Sequence, residues 1–235
     1  MTDPLLLIDE LTYAWPGEQD PVIRKLSLSI AAGEKVFLAG ASGSGKSTLL
    51  ALIGGLVLPD QGTIDISGQS LNTLSRSARD RFRADHLGVI FQQFNLLPWL
   101  DVVGNVTLGC HFSALRRKRT GAVRSAAEAL LKAMDLEQRL WHKRADQLSV
   151  GQQQRVAAAR ALIGQPDLVL ADEPTSALDR DRRDAFLSLL FREIDRAGSA
   201  LLFVSHDHEL AARFDRTLEL SELNGAACHA IEAGA

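Results

Sequence analysis

The segment Gly40-Ala41-Ser42-Gly43-Ser44-Gly45-Lys46-Ser47 fits G-x-x-x-x-G-K-[ST] at every required position, and few loops constrain a fold as tightly. The apolar run Lys35-Val36-Phe37-Leu38-Ala39 precedes it and reads as a buried strand. Thr48-Leu49-Leu50-Ala51-Leu52-Ile53 follows it and reads as a helix. Strand, glycine-rich loop and helix in that order let successive backbone N–H groups converge on a polyphosphate. The helix N-terminus adds its dipole to the same anion. Lys46 is placed to reach the β- and γ-phosphates, and the Ser47 hydroxyl to ligate Mg²⁺, a cation that takes oxygen ligands.

The rest of the chain continues the alternation. Residues 5–11 and 24–30 alternate apolar and polar side chains, a strand signal. Pro59-Asp60-Gln61-Gly62 is a turn, followed by a short strand over 63–66 and a turn at Ser67-Gly68. Residues 87–91 form a further strand. From about residue 95 to 162 helical periodicity takes over, clearest over 122–134 with Val123, Ala126, Ala127, Leu130, Leu131 and Met134 on one face. Residues 168–171 and 200–204 read as buried strands, with an amphipathic helix over 181–196 closed by Ala197-Gly198. Strand–helix–strand alternation implies an α/β fold with a largely parallel sheet, into which the helical block is inserted. With 46% hydrophobic residues, the 235-residue chain can bury a sizeable core.

Charge excludes one class of partner. Lys and Arg number 26 against 29 Asp and Glu, a net charge of −3. A nucleic-acid binder would carry a basic face and a high pI, so no nucleic-acid partner is expected. Cys110 and Cys228 are far apart with no metal-like spacing, which reads as two free thiols in a reducing compartment. No stretch approaches the ~18 apolar residues that span a bilayer. Met1-Thr2-Asp3-Pro4 has no positive n-region of a secretory signal. The chain is expected to be cytoplasmic, with any membrane role exercised through a partner.

Leu168-Val169-Leu170-Ala171-Asp172-Glu173 is an apolar strand ending in two acids. Carboxylates at the carboxyl end of a buried strand lie where α/β sheets bind ligands. Asp172 is positioned to hold Mg²⁺, directly or through water, and Glu173 to orient or deprotonate an attacking water.

Further pieces make a resemblance specific. Leu148-Ser149-Val150-Gly151-Gln152-Gln153-Gln154-Arg155 is similar to the signature segment of the ABC (ATP-binding cassette) ATPases. Gln92 resembles their Q-loop glutamine, Ser176-Ala177-Leu178-Asp179 their D-loop and His206 their switch histidine. The resemblance runs from about residue 5 to 223. It implies a P-loop NTPase with a mostly parallel core sheet, an N-terminal antiparallel β subdomain and an inserted α-helical subdomain. One ABC ATPase domain would fill residues 1–235, with 1–94 and 163–235 as the core and 95–162 as the helical part. It implies ATP and Mg²⁺ as ligands, with nucleotide contacts along the loop from Gly40 to Thr48. Gln92 would ligate Mg²⁺ and sense the γ-phosphate, and His206 would hydrogen-bond that phosphate. Ser149, Gly151 and Gln152 would cap the nucleotide held by a second subunit, and Asp179 would contact that subunit. ATP would then close a homodimer or pseudo-dimer, and hydrolysis would let it open.

Val150 stands where the family has glycine, and a β-branched residue resists φ > 0. A working site is still expected, because Ser149 and Gly151 are kept. In Tyr13-Ala14-Trp15-Pro16-Gly17 the family's base-stacking aromatic aligns best with Trp15, with Tyr13 as the alternative and a core role open to either ring.

A single compact cassette without a long coiled coil resembles a transporter subunit more than a soluble ABC ATPase. It would sit on the cytoplasmic face of the inner membrane, bound to an integral membrane permease. Phe91-Gln92-Gln93-Phe94-Asn95-Leu96-Leu97-Pro98 and the Gln-Gln-Gln-Arg run resemble the branch serving lipoprotein release, macrolide export and cell division. Importers share some of these residues. Two weaker signals remain. Residues 94–100 are unusually apolar for a loop, as core packing or as a groove for the permease. Arg116-Arg117-Lys118-Arg119 reads as a solvated basic face, or as a contact for anionic headgroups or a permease loop. His206-Asp207-His208 lacks the further ligands of a zinc site.

Overall fold

The computed structural model describes residues 3–224. They gather into two compact units, one of residues 3–83 with 202–224 and one of Ala84–Leu201.

In the first unit, β1 (Leu6–Tyr13) pairs antiparallel with β2 (Ile23–Ile30) and with β4 (Gln61–Ile66). β1 runs past the expected end at residue 11 because of a local irregularity. Strict alternation would turn Leu11 to solvent; a register shift between Ile8 and Leu11, with Glu10 at φ 46°, keeps Leu11 and Tyr13 inside. The expected turn at Ser67-Gly68 joins β4 to β5 (Gln69–Ser70), with φ values of 52° and 76° that suit a tight hairpin. β3 (Lys35–Ala39) pairs in parallel with β9 (Arg216–Glu219). Phe37, Phe203 and Phe214 pack behind it with ring centroids 5.1–6.1 Å apart. α1 (Lys46–Ile53) buries Leu49, Leu52 and Ile53, the i, i+3, i+4 stripe of a helix lying on a core.

α2 (Arg76–His86) carries no buried residue, and apolar periodicity could not reveal it. Its arginines hold it. Arg79 donates to Leu74 O (2.7 Å) and Gly55 O (3.3 Å), and Arg83 to Gly54 O (3.0 Å), covering carbonyls at the end of α1.

In the second unit, β6 (Leu87–Ile90) and β7 (Leu168–Asp172) pair in parallel, Ile90 beside Ala171. Five helices belong to this unit: α3 (Val102–Phe112), α4 (Ala114–Thr120), α5 (Val123–Ala133), α6 (Val150–Leu162) and α7 (Arg180–Ala197). α5 lies within one residue of its expected bounds and buries Ala127 and Leu131, with Met134 buried just beyond its end. α6 buries Ala157, Ala158 and Ala159, small side chains that allow close approach. α7 ends at Gly198 in the left-handed region. The buried strand β8 (Ala200–Ser205) leads from the second unit back into the first, and the short α8 (Leu220–Leu223) follows β9.

The basic run departs from a solvated face at one position. Arg116 is only 3% exposed. Its guanidinium donates to the carbonyls of Leu87, Ala161 and Ile163, joining α4 to the start of β6 and the end of α6. Burial pulls its pKa down to about 10, so it stays charged at neutral pH. Arg119 pairs with Asp167 at 3.0 Å, whereas Arg117 and Lys118 face solvent. Cys110 is a buried free thiol; Cys228 and the Ala-rich segment around it lie outside the described residues. Among the described residues, no helix is long and apolar enough to cross a membrane.

Candidate nucleotide-binding site

The glycine-rich loop leaves the carboxyl end of β3 and closes on α1. Gly43 and Gly45 take φ values of 80° and 102°, a region where side-chain-bearing residues are strained. At Gly45 a Cβ would also meet Val22 at 2.9 Å. Lys46, 8% exposed, lays its ammonium back over the loop and donates to Gly40 O (2.6 Å) and Ala41 O (2.7 Å). The Ser44 hydroxyl is buried and has no hydrogen-bond partner. A cationic amine and an unpartnered hydroxyl on a left-handed glycine loop at a helix N-terminus fit a polyphosphate.

Trp15 stands near the start of that helix. Its Nε1 donates to Thr48 Oγ1 at 3.2 Å. Tyr13 is buried and meets the Trp15 ring edge-on, with centroids 5.3 Å apart. Trp15 is 40% exposed. Tyr13 is therefore the core ring, and Trp15 keeps part of its surface exposed. Burial, with Asp60 nearby, raises the Tyr13 pKa. The Asp60 carboxylate accepts from Ala14 N (2.9 Å) and anchors the loop.

In the second unit, Gln92 and Glu173 come just after the ends of β6 and β7, two paired parallel strands. Asp172 is the last residue of β7. The pairing brings Gln92, Asp172 and Glu173 to one edge, the carboxyl edge of the strands. Glu173 has φ 45°, in the left-handed region that residues with a side chain seldom enter. After Gln92, Phe94 and Asn95 also take positive φ, and Arg160 of α6 grips their two carbonyls, each at 2.6 Å. In the first unit, His206 follows β8 and is exposed. His208, two residues on, lies 3.3 Å from Glu219.

The signature segment is the N-terminus of α6. Ser149 Oγ accepts from Gln152 N (3.4 Å) and Gln152 Oε1 accepts from Ser149 N (3.0 Å), a reciprocal capping box. Val150 is the first helical residue and is absent from the left-handed region, so valine replaces glycine there without backbone strain. Asp179 likewise caps α7, accepting from Arg182 N at 3.0 Å. These structural duties were legible as Ser-x-x-Gln and as an acid before a helix, two signals hidden beneath the motif. Ser149, Val150, Gly151, Leu178 and Arg182 line one open hollow of about 790 Å³, which joins the signature segment to the D-loop region.

The segment after Gln92 divides between its two readings. Phe94 is buried core, Leu97 is half-buried with its N–H and C=O bonded to the buried Asn105 side chain, and Trp99 is 68% exposed.

Comparison with known proteins agrees with this geometry. The ABC transporter family matches residues 23–176. The lipoprotein-releasing system ATP-binding protein LolD of Maricaulis maris is 43% identical over 225 residues, covering 94% of this chain and 96% of that protein. The macrolide export ATP-binding/permease protein MacB of Shewanella oneidensis is 41% identical over 94% of this chain, which spans 33% of that protein. A dimeric, post-hydrolysis structure of the ATP-binding cassette MJ0796, bound to ADP and Pi, superimposes with a TM-score of 0.80 at 37% identity, covering 91% of this chain and 93% of that one. With its glycine loop, signature helix and acid-tipped strand, the chain belongs to the ABC transporter family and is one of its ATP-binding, ATP-hydrolysing cassettes.

Proposed function

We propose that the chain is a single ABC ATPase domain over residues 1–235 that closes as a dimer on ATP and drives a separate membrane permease, in the export or lipoprotein-release branch. The observation that carries the reading is the loop cradle with the Lys46 ammonium and the unpartnered Ser44 hydroxyl. The LolD relative, matched along 96% of its length, supports the branch.

Lys46 would release its loop carbonyls for the terminal phosphates, and Ser42 to Thr48 would present backbone N–H groups to them. The Trp15 ring would stack the adenine. Ser47, Gln92 and Asp172 offer a hydroxyl, an amide oxygen and a carboxylate, the hard oxygen donors that suit Mg²⁺. When bound, the ion supplies charge neutralisation at the phosphates. Glu173 would take a proton from the attacking water as its oxygen bonds to the γ-phosphorus and the bond to the β–γ bridging oxygen breaks, leaving ADP and phosphate. His206 would donate a hydrogen bond to the transferred group. From the other subunit, the α6 N-terminus would direct Ser149, Gly151 and Gln152 at the same nucleotide, with Asp179 across the interface.

A large side chain at Ser149 tests the two-subunit arrangement. Ser149→Arg in a Glu173→Gln background is expected to bind ATP as a monomer with little change, yet to fail to dimerise, because the arginine fills the contact. Static light scattering in ATP decides it. Unimpaired dimerisation would reject the shared site.

The permease contact is tested at Trp99, whose indole is exposed. Leu97→Glu with Trp99→Glu places charges that an apolar contact cannot bury without cost. Nucleotide affinity of the isolated subunit should change little, while co-purification with membranes carrying its permease falls at least ~10-fold. Because the backbone of Leu97 is clamped by Asn105, Trp99→Glu alone serves if the pair unfolds. Wild-type levels of membrane recovery in that variant would place the permease contact elsewhere. This contact would hold the subunit on the cytoplasmic face of the membrane.

A further inference from the structure

Among the side chains around the cradle, Thr48 does something the motif does not explain. It is buried in the first turn of α1, two residues after Lys46. Its Oγ1 receives the Trp15 Nε1 proton at 3.2 Å, across 33 residues of chain. An indole N–H can only donate, so the threonine oxygen is the acceptor. The Trp15 loop has three further contacts. Tyr13 supports the ring by an edge, at an interplanar angle of 82°. Asp60 pins Ala14 N, and Trp15 O accepts from Glu18 N at 2.9 Å to close a turn. A ring attached to a surface loop and 40% exposed would otherwise turn about its side-chain torsions.

We propose that Thr48 is a positioning residue for base binding: through Trp15 Nε1 it ties the stacking ring to the helix that carries Lys46. The base end and the phosphate end of the nucleotide site then share one rigid element, and their spacing is set before ligand arrives. The bond is available to an indole at this place and denied to phenylalanine, which stacks but has no donor. This rests on the reading of Trp15 as the base platform, and the experiment separates the two.

ATP affinity is measured by calorimetry in a double-mutant cycle of Thr48→Val, which keeps the native shape, and Trp15→Phe, which still stacks but loses the N–H donor and part of the ring face. Thr48→Val is expected to weaken ATP about 5-fold, the scale of one hydrogen bond, and Trp15→Phe at least as much. The double variant should be no weaker than Trp15→Phe alone, because the second change removes a bond already lost. Thr48→Ser, which keeps the acceptor, should stay within about 2-fold of wild type. With ¹⁵N labelling the three indoles give separate N–H resonances; the one missing in Trp15→Phe should move upfield in Thr48→Val and stay in place in Thr48→Ser. Effects of the two single changes that multiply in the double variant would overturn the tether, as would an unmoved indole resonance. Trp15→Ala with undiminished ATP affinity would instead remove the base platform itself.

Discussion

A Glu173→Gln variant is expected to bind ATP and close its dimer while turnover falls by about 10²-fold or more, the scale of losing a general base. Glutamine keeps the shape of glutamate and one acceptor oxygen but cannot take a proton. Glu173 directly follows Asp172, the last residue of β7, at the carboxyl edge of the strand pair, with φ 45°. Phosphate release under saturating Mg·ATP measures the loss, and light scattering measures closure. Near-normal hydrolysis would remove Glu173 from the role. If ATP binding vanished along with turnover, the carboxylate would be needed to assemble the site rather than to move a proton.

Lys46→Ala has the second large effect, a loss of ATP affinity of ~100-fold or more, since the phosphate charge would lose its main counter-charge. The ammonium is nearly buried and already pointed into the loop through Gly40 O and Ala41 O, so it would exchange carbonyl partners for phosphate oxygens without a search. A direct titration with a fluorescent nucleotide measures the loss, and a thermal melt confirms that the variant is folded. Retained affinity would contradict the assignment of the loop.

Much of the architecture was legible because it is periodic. β3, β7 and β8 are short apolar runs, α5 and α7 carry clear helical stripes, and Gly198 and Ser67-Gly68 mark ends and turns by residue type alone. α2 was not legible. Every one of its positions is at least partly exposed, and its anchors are arginines reaching the carbonyls that close α1. Arg116 shows the same limit. A run of four basic residues carries no mark of which one turns inward, and only the packing of α4 against β6 and α6 selects it.

For the site, sequence alone supplied the candidate chemical groups. The glycine loop, Lys46, Ser47, the acids at 172 and 173, and the signature segment are residue types at fixed spacings, and spacing along a strand–loop–helix is set by local backbone geometry. Tertiary structure decided what depends on neighbours distant in the chain. It made Tyr13 core and left Trp15 open, because the strand register, shifted at Glu10, turns Tyr13 inward. It placed Val150 at the first turn of a capped helix, where valine costs nothing. It joined Trp15 to Thr48, and Phe94 and Asn95 to Arg160, through hydrogen bonds that span tens of residues. Such contacts are set by how the elements pack, and packing leaves no local pattern in the chain.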